Sequence, residues 1–583
     1  MSGRFKVLTP ACLALSIVAC MSGSSIVFGQ GAPPPQARTS SAPTGTDQSV
    51  GTTLIAHWPL LNDTENKTPL KLSSEAKGVA FKTVTSGAVT RRAAGFNGRD
   101  SVVEIADAEA LQLGAGPFSI ALWVNVAEEL GDSVGDLISQ FDYGSRKGFH
   151  LGVYSHAGVT NSQPNARQLH FGIDAGYIEP AFTDHGRLGD AVYVFSMCVH
   201  RGQLYAATCS AGQDQAGHIF RFEGEDRWTD LGSPDKANSM SAMATFNGQL
   251  YAASSKYRLA GSSLAESENP NLGGSIFRLT DDNQWEHCGK VSPETEAIAS
   301  LIVYRGQLYA SSLYRPAGFF KYGGGKNWEA CPTPDGKRVE AMTLFNDSVF
   351  ATSYDEGSVF RFDGTTWETV GKIPGATQTY GFGIYRGQLH VSEWPQAHVF
   401  RYRGGDSWED AGKLGQELEA MPLLVYNGKL YGGTLPTAEI FRYDDHEMWT
   451  KIGRVDHTPD VKYRRAWSMA VYQGRLFVGT LPGGRVLSIE TGRNVTYDHE
   501  LPTGWHHITA VRDVDRLRLY VDGKSVGQSP QFKRADFDLS SSSPLRIGFG
   551  AQDYLDGSLS DVRIYRGALT AEEIAALALP GKQ

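Results

Sequence analysis

The sequence predicts an all-β chain of two modules, an antiparallel sandwich interrupted by a ring of four-stranded repeats. Three observations carry this. A hairpin motif, a short aromatic–arginine strand and a tryptophan recur together about every 40 residues between 182 and 489. Outside that span the pattern becomes strict alternation, as in Phe118-Ser-Ile-Ala-Leu-Trp-Val-Asn-Val126, which a half-buried strand requires. Strands of the alternating kind resume only at 506–513, after the repeats, so the alternating module is split in two.

The hairpin core reads Arg201-Gly-Gln-Leu-Tyr-Ala206, Asn247-Gly-Gln-Leu-Tyr-Ala252, Arg305-Gly-Gln-Leu-Tyr-Ala310, Arg386-Gly-Gln-Leu-His390, Asn427-Gly-Lys-Leu-Tyr431 and Gln473-Gly-Arg-Leu-Phe477. A diverged copy is Asn346-Asp-Ser-Val-Phe350. An apolar strand turns at each dipeptide, where glycine supplies the positive φ of a tight hairpin. Strands such as Ile219-Phe-Arg-Phe222 and Val399-Phe-Arg-Tyr402 then place aromatics on one face and the cation on the other. Trp228, Trp285, Trp328, Trp367, Trp408 and Trp449 each open a fourth strand. Such a unit buries its faces only against its neighbours, which is the logic of a β-propeller blade. The last repeat, at 467–489, lacks a tryptophan strand. Phe182-Thr-Asp-His-Gly-Arg-Leu-Gly189 matches Trp408-Glu-Asp-Ala-Gly-Lys-Leu-Gly415 and is expected to close a seven-bladed ring. The architecture resembles the kelch- and WD-type propellers, without their signature dipeptides. Asp363-Gly-Thr-Thr-Trp367 departs from the spacing of a sialidase Asp-box.

The flanks carry Phe96-Asn-Gly98 before Val102-Val-Glu-Ile105, then Gly504-Trp-His-His-Ile-Thr-Ala510, Leu517-Arg-Leu-Tyr-Val-Asp-Gly523 and Gly557-Ser-Leu-Ser-Asp-Val-Arg-Ile-Tyr565. Over about 210 residues these resemble the laminin-G-like, concanavalin A-like jelly rolls of bacterial secreted proteins. Thr570 and Glu573 form a capping box for a closing helix. The expected fold is therefore a concanavalin A-like jelly-roll sandwich with an inserted seven-bladed β-propeller: jelly roll at 53–176 and 494–579, propeller at 182–489. Insertion is inexpensive when the insert presents adjacent ends, since closure entropy grows by only about 0.6 kcal/mol per doubling of loop length.

Arg4 and Lys6 precede the apolar run Ala11-Cys-Leu-Ala-Leu-Ser-Ile-Val-Ala19, which suits a secretory signal over 1–29 cleaved near Gly29. The alternative is a lipobox at Ile17-Val-Ala-Cys20, with Cys20 lipidated. Either way a secreted, periplasmic or cell-surface location is expected, with 30–52 as a flexible tether and no later membrane span. A net charge of −9 offers nothing to a polyanion, so nucleic acid is not an expected partner. No cysteine pair has CxxC spacing; Cys198 and Cys209 either pair across one hairpin or lie buried as thiols.

The connections between second and third strands share a composition: Lys256-Tyr-Arg258, Tyr314-Arg-Pro316, Tyr354-Asp-Glu356 and Glu393-Trp-Pro395. Blade-to-blade connections on the same face add Lys337-Arg338, Tyr380 and the run ending Arg464-Arg465. The candidate ligand contacts are Tyr257, Arg258, Tyr314, Arg315, Tyr354, Asp355, Glu356, Glu393, Trp394, Arg464 and Arg465. Aromatic faces cover the apolar side of a sugar and arginine grips a carboxylate or sulfate, so a funnel for a glycan or small anionic ligand is expected. The alternative is that the tyrosines recur because the repeats recur, and pack the loops together. Connection 254–274, at 21 residues, is much longer than its equivalents, and long loops tend to be functional. Paired carboxylates such as Glu356 with Glu393 or Asp355 would suit a glycosidase, and a Tyr or His base beside arginine a polysaccharide lyase. No nucleophile elbow, HExxH, P-loop or dinucleotide fingerprint is present, so a non-catalytic recognition role is favoured, with a protein scaffold as a further alternative. No cofactor is expected. Jelly-roll relatives sometimes bind Ca²⁺, for which Asn62 and Asp63 are oxygen ligands in type only. His506 and His507 point to opposite faces of a strand and cannot share one metal.

Overall fold

The computed structural model describes residues 51–580 apart from 128–130, 161, 178 and 179. The signal segment, the cleavage position, Cys20 and almost all of the tether lie outside the described residues. Among the described residues no helix is long and apolar enough to cross a membrane.

Two antiparallel sheets come from both flanks of the chain. In the first, Phe118–Val126 lies between Gly504–Arg512 and Asp556–Arg566. His507 faces Trp123, and Leu559 faces Val124. In the second, Asn165–Ala175 lies between Lys147–His156 and Arg493–Tyr497, with Val495 opposite Phe171. The chain thus leaves this sheet on one strand and returns on its neighbour. The inward faces of both sheets, including Ile120, Leu122, Phe149, Phe171, Ile508 and Ile564, form one fully apolar core. The capping box forms as expected, Thr570 Oγ1 accepting from Glu573 N ahead of the helix Ala571–Leu577.

The remaining strands form the propeller. Its tight turns place both central residues in the left-handed region, as at Asn427 (φ 42°) and Gly428 (φ 79°), the geometry of a type I′ hairpin. Five four-stranded sheets stand separately, not the seven expected. Where the first two repeats were each to form a blade, strands from Tyr193–His200 to Trp285–Lys290 run together as one eight-stranded sheet. A single paired rung, Cys209 opposite Ser239, makes that join. The strand Ala181–Arg187 pairs with Arg485–Glu490, Phe182 opposite Ile489, and so completes the last sheet from the start of the module.

Each tryptophan does more than fill a face. The indole Nε1 of Trp285, Trp328, Trp367, Trp408 and Trp449 donates to the carbonyl of Leu231, Cys288, Pro332, Val370 and Ala411 at 2.8–3.0 Å. These five repeats are thereby each pinned to the outer strand of the one before it or to the residue that follows that strand. Cys198 and Cys209 do not form a disulfide. Strand register explains this, because Cys198 stands opposite Tyr205 and Cys209 opposite Tyr193.

The hairpin turns abut the second sheet of the sandwich. His150, Tyr154, His156, His170, Asp174 and Asn494 alternate with the core residues of that sheet, and all are buried. His150 Nε2 lies 3.1 Å from Asn427 Oδ1, and Gly474 N donates to Thr496 Oγ1. A Cβ on Gly428 would stand 2.6 Å from the Phe141 ring, so the close approach needs glycine. From the same side, residues 157–160 and 162–165 enter the ring. Thr160 Oγ1 donates to Phe195 O and accepts from Trp467 Nε1; Ser162 Oγ accepts from Met342 N; Asn165 exchanges two hydrogen bonds with Val471. These partners sit on inner strands at different points around the ring, so this segment closes the axis from the sandwich side.

Candidate ligand-binding face of the propeller

The end of the propeller away from the hairpin turns carries the second-to-third connections. Inner-strand residues Tyr193, Phe195, Tyr380, Met421 and Trp467 gather with Val159 into one buried cluster. Tyr257, Tyr354, Trp394 and Tyr463 pack against it, each partly buried. Tyr257 meets Phe195 edge-on at 4.8 Å between ring centroids, and Tyr354 lies 5.0 Å from Tyr380. Tyr257, Tyr314 and Tyr354 also share an apolar patch with Ala297, Ala299 and Leu313. The aromatic residues are therefore brought together, as a layer half embedded in the module rather than as free loop side chains.

The charged residues divide. Arg465 is buried within this layer, 3.6 Å from the buried Glu419, and its Nη1 donates to Ser262 Oγ at 2.5 Å. Arg258 is exposed, lies 4.4 Å above the Tyr314 ring and donates its backbone N–H to the Tyr314 hydroxyl. Arg315 is exposed and pairs with Asp355 at 3.2 Å. Asp355 is also held by Arg338, which donates from its backbone N, Nε and Nη2 at 2.9–3.2 Å. Burial pushes the Asp355 carboxyl up, but the Arg338 hydrogen bonds outweigh it and leave it at about 2. The rim arginines thus already have anionic partners.

Three expected contacts are engaged by local partners. Glu393 is buried and accepts from His398 N at 2.7 Å and Gln396 N at 3.4 Å, bracing its own turn. Glu356 is exposed and pairs with Lys337 and Lys372. Arg464 donates Nε to Thr458 O at 2.6 Å, tying down its own connection. The three are not brought together as a carboxylate pair or an anion clamp. In the sandwich, Asn62 accepts from Arg92 and Asp63 from Glu65 N and Lys67. Among the described residues no group of three or more His, Cys, Asp or Glu side chains is arranged to hold a metal.

Two buried carboxyls, Glu340 and Glu419, stand at inner-strand starts, outside the loop composition that marks the other candidates. Burial pushes both carboxyls up, with Arg338 opposing it for Glu340 and Arg465 for Glu419. Glu340 Oε1 and the Tyr193 hydroxyl are buried without a hydrogen-bond partner among the described residues, whereas the Glu419 carboxylate faces Arg465 and Tyr380. Buried polar atoms of this kind recruit water or a ligand hydroxyl. A sequence signal existed: Glu296-Ala-Ile298, Glu340-Ala-Met342, Glu419-Ala-Met421 and Arg465-Ala-Trp467 put a charge at the same place in four repeats. It is easily passed over because each charge directly abuts an apolar strand.

Residues 447–575 match the concanavalin A-like lectin/glucanases superfamily. No curated protein matches the chain. Among solved structures, virginiamycin B lyase from Staphylococcus aureus is similar over 53% of this chain and 99% of its own, at 10% identity and a TM-score of 0.43. YCF48 from Cyanidioschyzon merolae is similar over 53% of this chain and 98% of its own, at 10% identity and a TM-score of 0.38.

Proposed function

We propose that the chain is an extracytoplasmic recognition protein that binds a glycan on the free face of its propeller without turning it over. The observation that carries this is the aromatic layer Tyr257, Tyr314, Tyr354 and Trp394, beside which the Tyr193 hydroxyl and Glu340 Oε1 are buried without a partner among the described residues and Arg465 pairs with Glu419. Ring faces suit the apolar side of a sugar, and the polar atoms beneath suit its hydroxyls. Because Arg315 and Arg338 are already engaged with Asp355, an uncharged glycan fits better than a polyanion. The superfamily match over 447–575, which takes in the last propeller strands and the second part of the sandwich, is compatible with carbohydrate binding, and we read the two sandwich sheets as a jelly roll. Its sheet face of His150, Tyr154 and His170 lies under the propeller, which directs attention to the propeller's own free face. Export is supported by Arg4, Lys6 and the apolar run at 11–19.

Screening the full chain on an array of neutral and acidic glycans, then titrating hits against Tyr354→Ala and Trp394→Ala, tests the reading. Absence of binding to every glycan defeats it. Glycoside hydrolysis is the second reading, favoured by one observation: the raised carboxyls of Glu340 and Glu419 are the type a general acid needs. A reducing-end assay of the wild-type chain on the same glycans decides between binding and turnover.

A further inference from the structure

The long connection of the second repeat leans back over the first. Asn269 is buried and donates Nδ2 to Gln215 O at 2.7 Å and Lys236 O at 3.0 Å. Asn271 Nδ2 donates to Lys236 O, and Ser267 Oγ to Gly212 O. Such ties fix the loop across the mouth of its neighbour, where an untethered loop of this length would lose conformational order. Between them they wall a groove of 660 Å³. That volume is within the roughly 300–1,000 Å³ typical of small-ligand sites. Leu188, Ala191 and the edge of Phe220 supply its apolar part.

The rest of the lining is rich in hydrogen-bonding groups. Gln213 offers both donors and an acceptor, Gln215 its Nε2 while its Oε1 accepts from Gly212 N, and Asn271 its Oδ1, whereas both Asn269 Nδ2 protons are taken up by the ties. His218 Nδ1 lies 2.8 Å from Asp230, which orients the ring. The same pair recurs at His398 and Asp410, so it is a feature of the repeat and is assigned no catalytic part. Ser233 Oγ, which also lines the groove, is buried without a partner among the described residues. Three carboxylates, Asp190, Asp214 and Asp230, face one cation, Lys236. That balance repels uronates and sulfates and accepts hydroxyls or an ammonium.

We propose that this groove is a second, off-axis binding site for a short neutral or amine-bearing saccharide, and that the long loop is present to build it. The site shares only its ligand chemistry with the axial aromatic layer. The test is calorimetric titration of the full chain with three probes: the N-acetylglucosamine trimer, the glucosamine trimer and trigalacturonate. One or both of the first two bind, and trigalacturonate does not. Gln213→Ala weakens binding at least tenfold at unchanged melting temperature, Asn271→Ala weakens it as far with a small loss of stability because its tie to Lys236 goes too, and Asp214→Asn weakens the amine-bearing probe most. Failure of both neutral and amine probes to bind overturns the proposal, as does trigalacturonate binding equally well. Affinity lost in Trp394→Ala but kept in all three groove variants places the trimer on the axial layer and overturns the groove while sparing the first reading.

Discussion

The indole of Trp228 donates to the main-chain carbonyl of His185 at 3.0 Å. Trp228 belongs to the first repeat, whereas His185 lies on the strand that completes the last, so this bond sits on the seam where the ring closes. His185 is itself fixed, its Nε2 lying 2.8 Å from Ser488 Oγ and its ring stacked 5.0 Å from Phe477. Trp228→Phe keeps most of the ring contact and removes the donor. The expected cost is about 1 kcal/mol, the net worth of a typical hydrogen bond, read by urea denaturation. Deleting residues 182–186 strips the outer strand as well, and should lower melting temperature and protease resistance far more. Equal behaviour of the deletion and the wild type would refute closure at this seam.

Docking of the sandwich can be isolated with two glycines. Gly428 and Gly248 have similar positive φ values, 79° and 67°, but a Cβ at Gly428 would strike Phe141 whereas nothing lies within 4 Å at Gly248. Replacement by alanine carries roughly 1 kcal/mol of backbone strain at each position. Gly428→Ala should lose more than Gly248→Ala in chemical denaturation, the excess being the cost of pushing the two modules apart.

Acid should weaken the same junction. Burial lowers His150 to about 4 and His156 to about 3, and pushes His170 well down; His156 and His150 add to the last effect. A histidine with a depressed folded pKa disfavours the folded state once the unfolded chain takes up protons, from about pH 6.5 downward. Asp136, raised to about 6 by burial against the hydrogen bonds it accepts from Tyr154 and the Gln552 amide, acts oppositely between pH 6 and about 4. The groups around these rings are Tyr154, Asn427 and Gln552, none of which compensates a positive charge. Asp132, Asp498, Asp553 and Asp174 are raised by burial as well and act in the same sense as Asp136, so the readable quantity is the share of one histidine, at most about 1.4 kcal/mol per pH unit below pH 6.5. Between pH 7 and 5 the denaturant midpoint of His170→Gln should rise relative to that of the wild type. A difference that does not change with pH would contradict this.

Much of this arrangement is legible in the sequence, and its limits are physical. Glycine turns and the periodic tryptophans announce the repeats, and Phe182 betrays the closing strand because it aligns with Trp408. The merger of the first two repeats rests on one rung between Cys209 and Ser239, which no periodicity encodes. Tyr257, Tyr354 and Trp394 were placed on one face by their spacing, but their depth was not, since it depends on Val159 and Thr160 arriving from the other module. Glu393 and Asp355 read as loop carboxylates, yet their partners are a turn amide and an arginine that only the fold brings near.

Arg465 and Glu419 allow a structural role to be separated from a binding one. Removing one member of a buried ion pair strands the other, which typically costs 3–5 kcal/mol, so Glu419→Gln and Arg465→Met should each destabilise strongly. The double variant Glu419→Leu/Arg465→Met strands neither partner and should recover most of that loss. If it folds well and still binds glycan as tightly, the pair is scaffold alone.

The aromatic layer gives the final test, because its half-buried state makes a graded outcome necessary. Tyr354 contacts the core cluster, with its ring against Tyr380, so Tyr354→Ala should lose stability through packing and affinity through the missing ring face. Trp394 packs on the same cluster from its edge and remains partly exposed, so Trp394→Ala should weaken glycan binding by roughly 1–3 kcal/mol, the range for truncated anchor residues. Its stability loss should be smaller than that of Tyr354→Ala. Arg315 is mostly exposed, and Arg338 satisfies its partner Asp355 without it. Arg315→Ala should therefore move stability by no more than about 1 kcal/mol and leave affinity for a neutral glycan unchanged. Affinity for an acidic glycan, if one binds, would fall in that variant, and added salt would shrink the difference. Affinity that stays constant across Tyr354→Ala and Trp394→Ala while melting temperature drops in both would show that the layer only packs the loops.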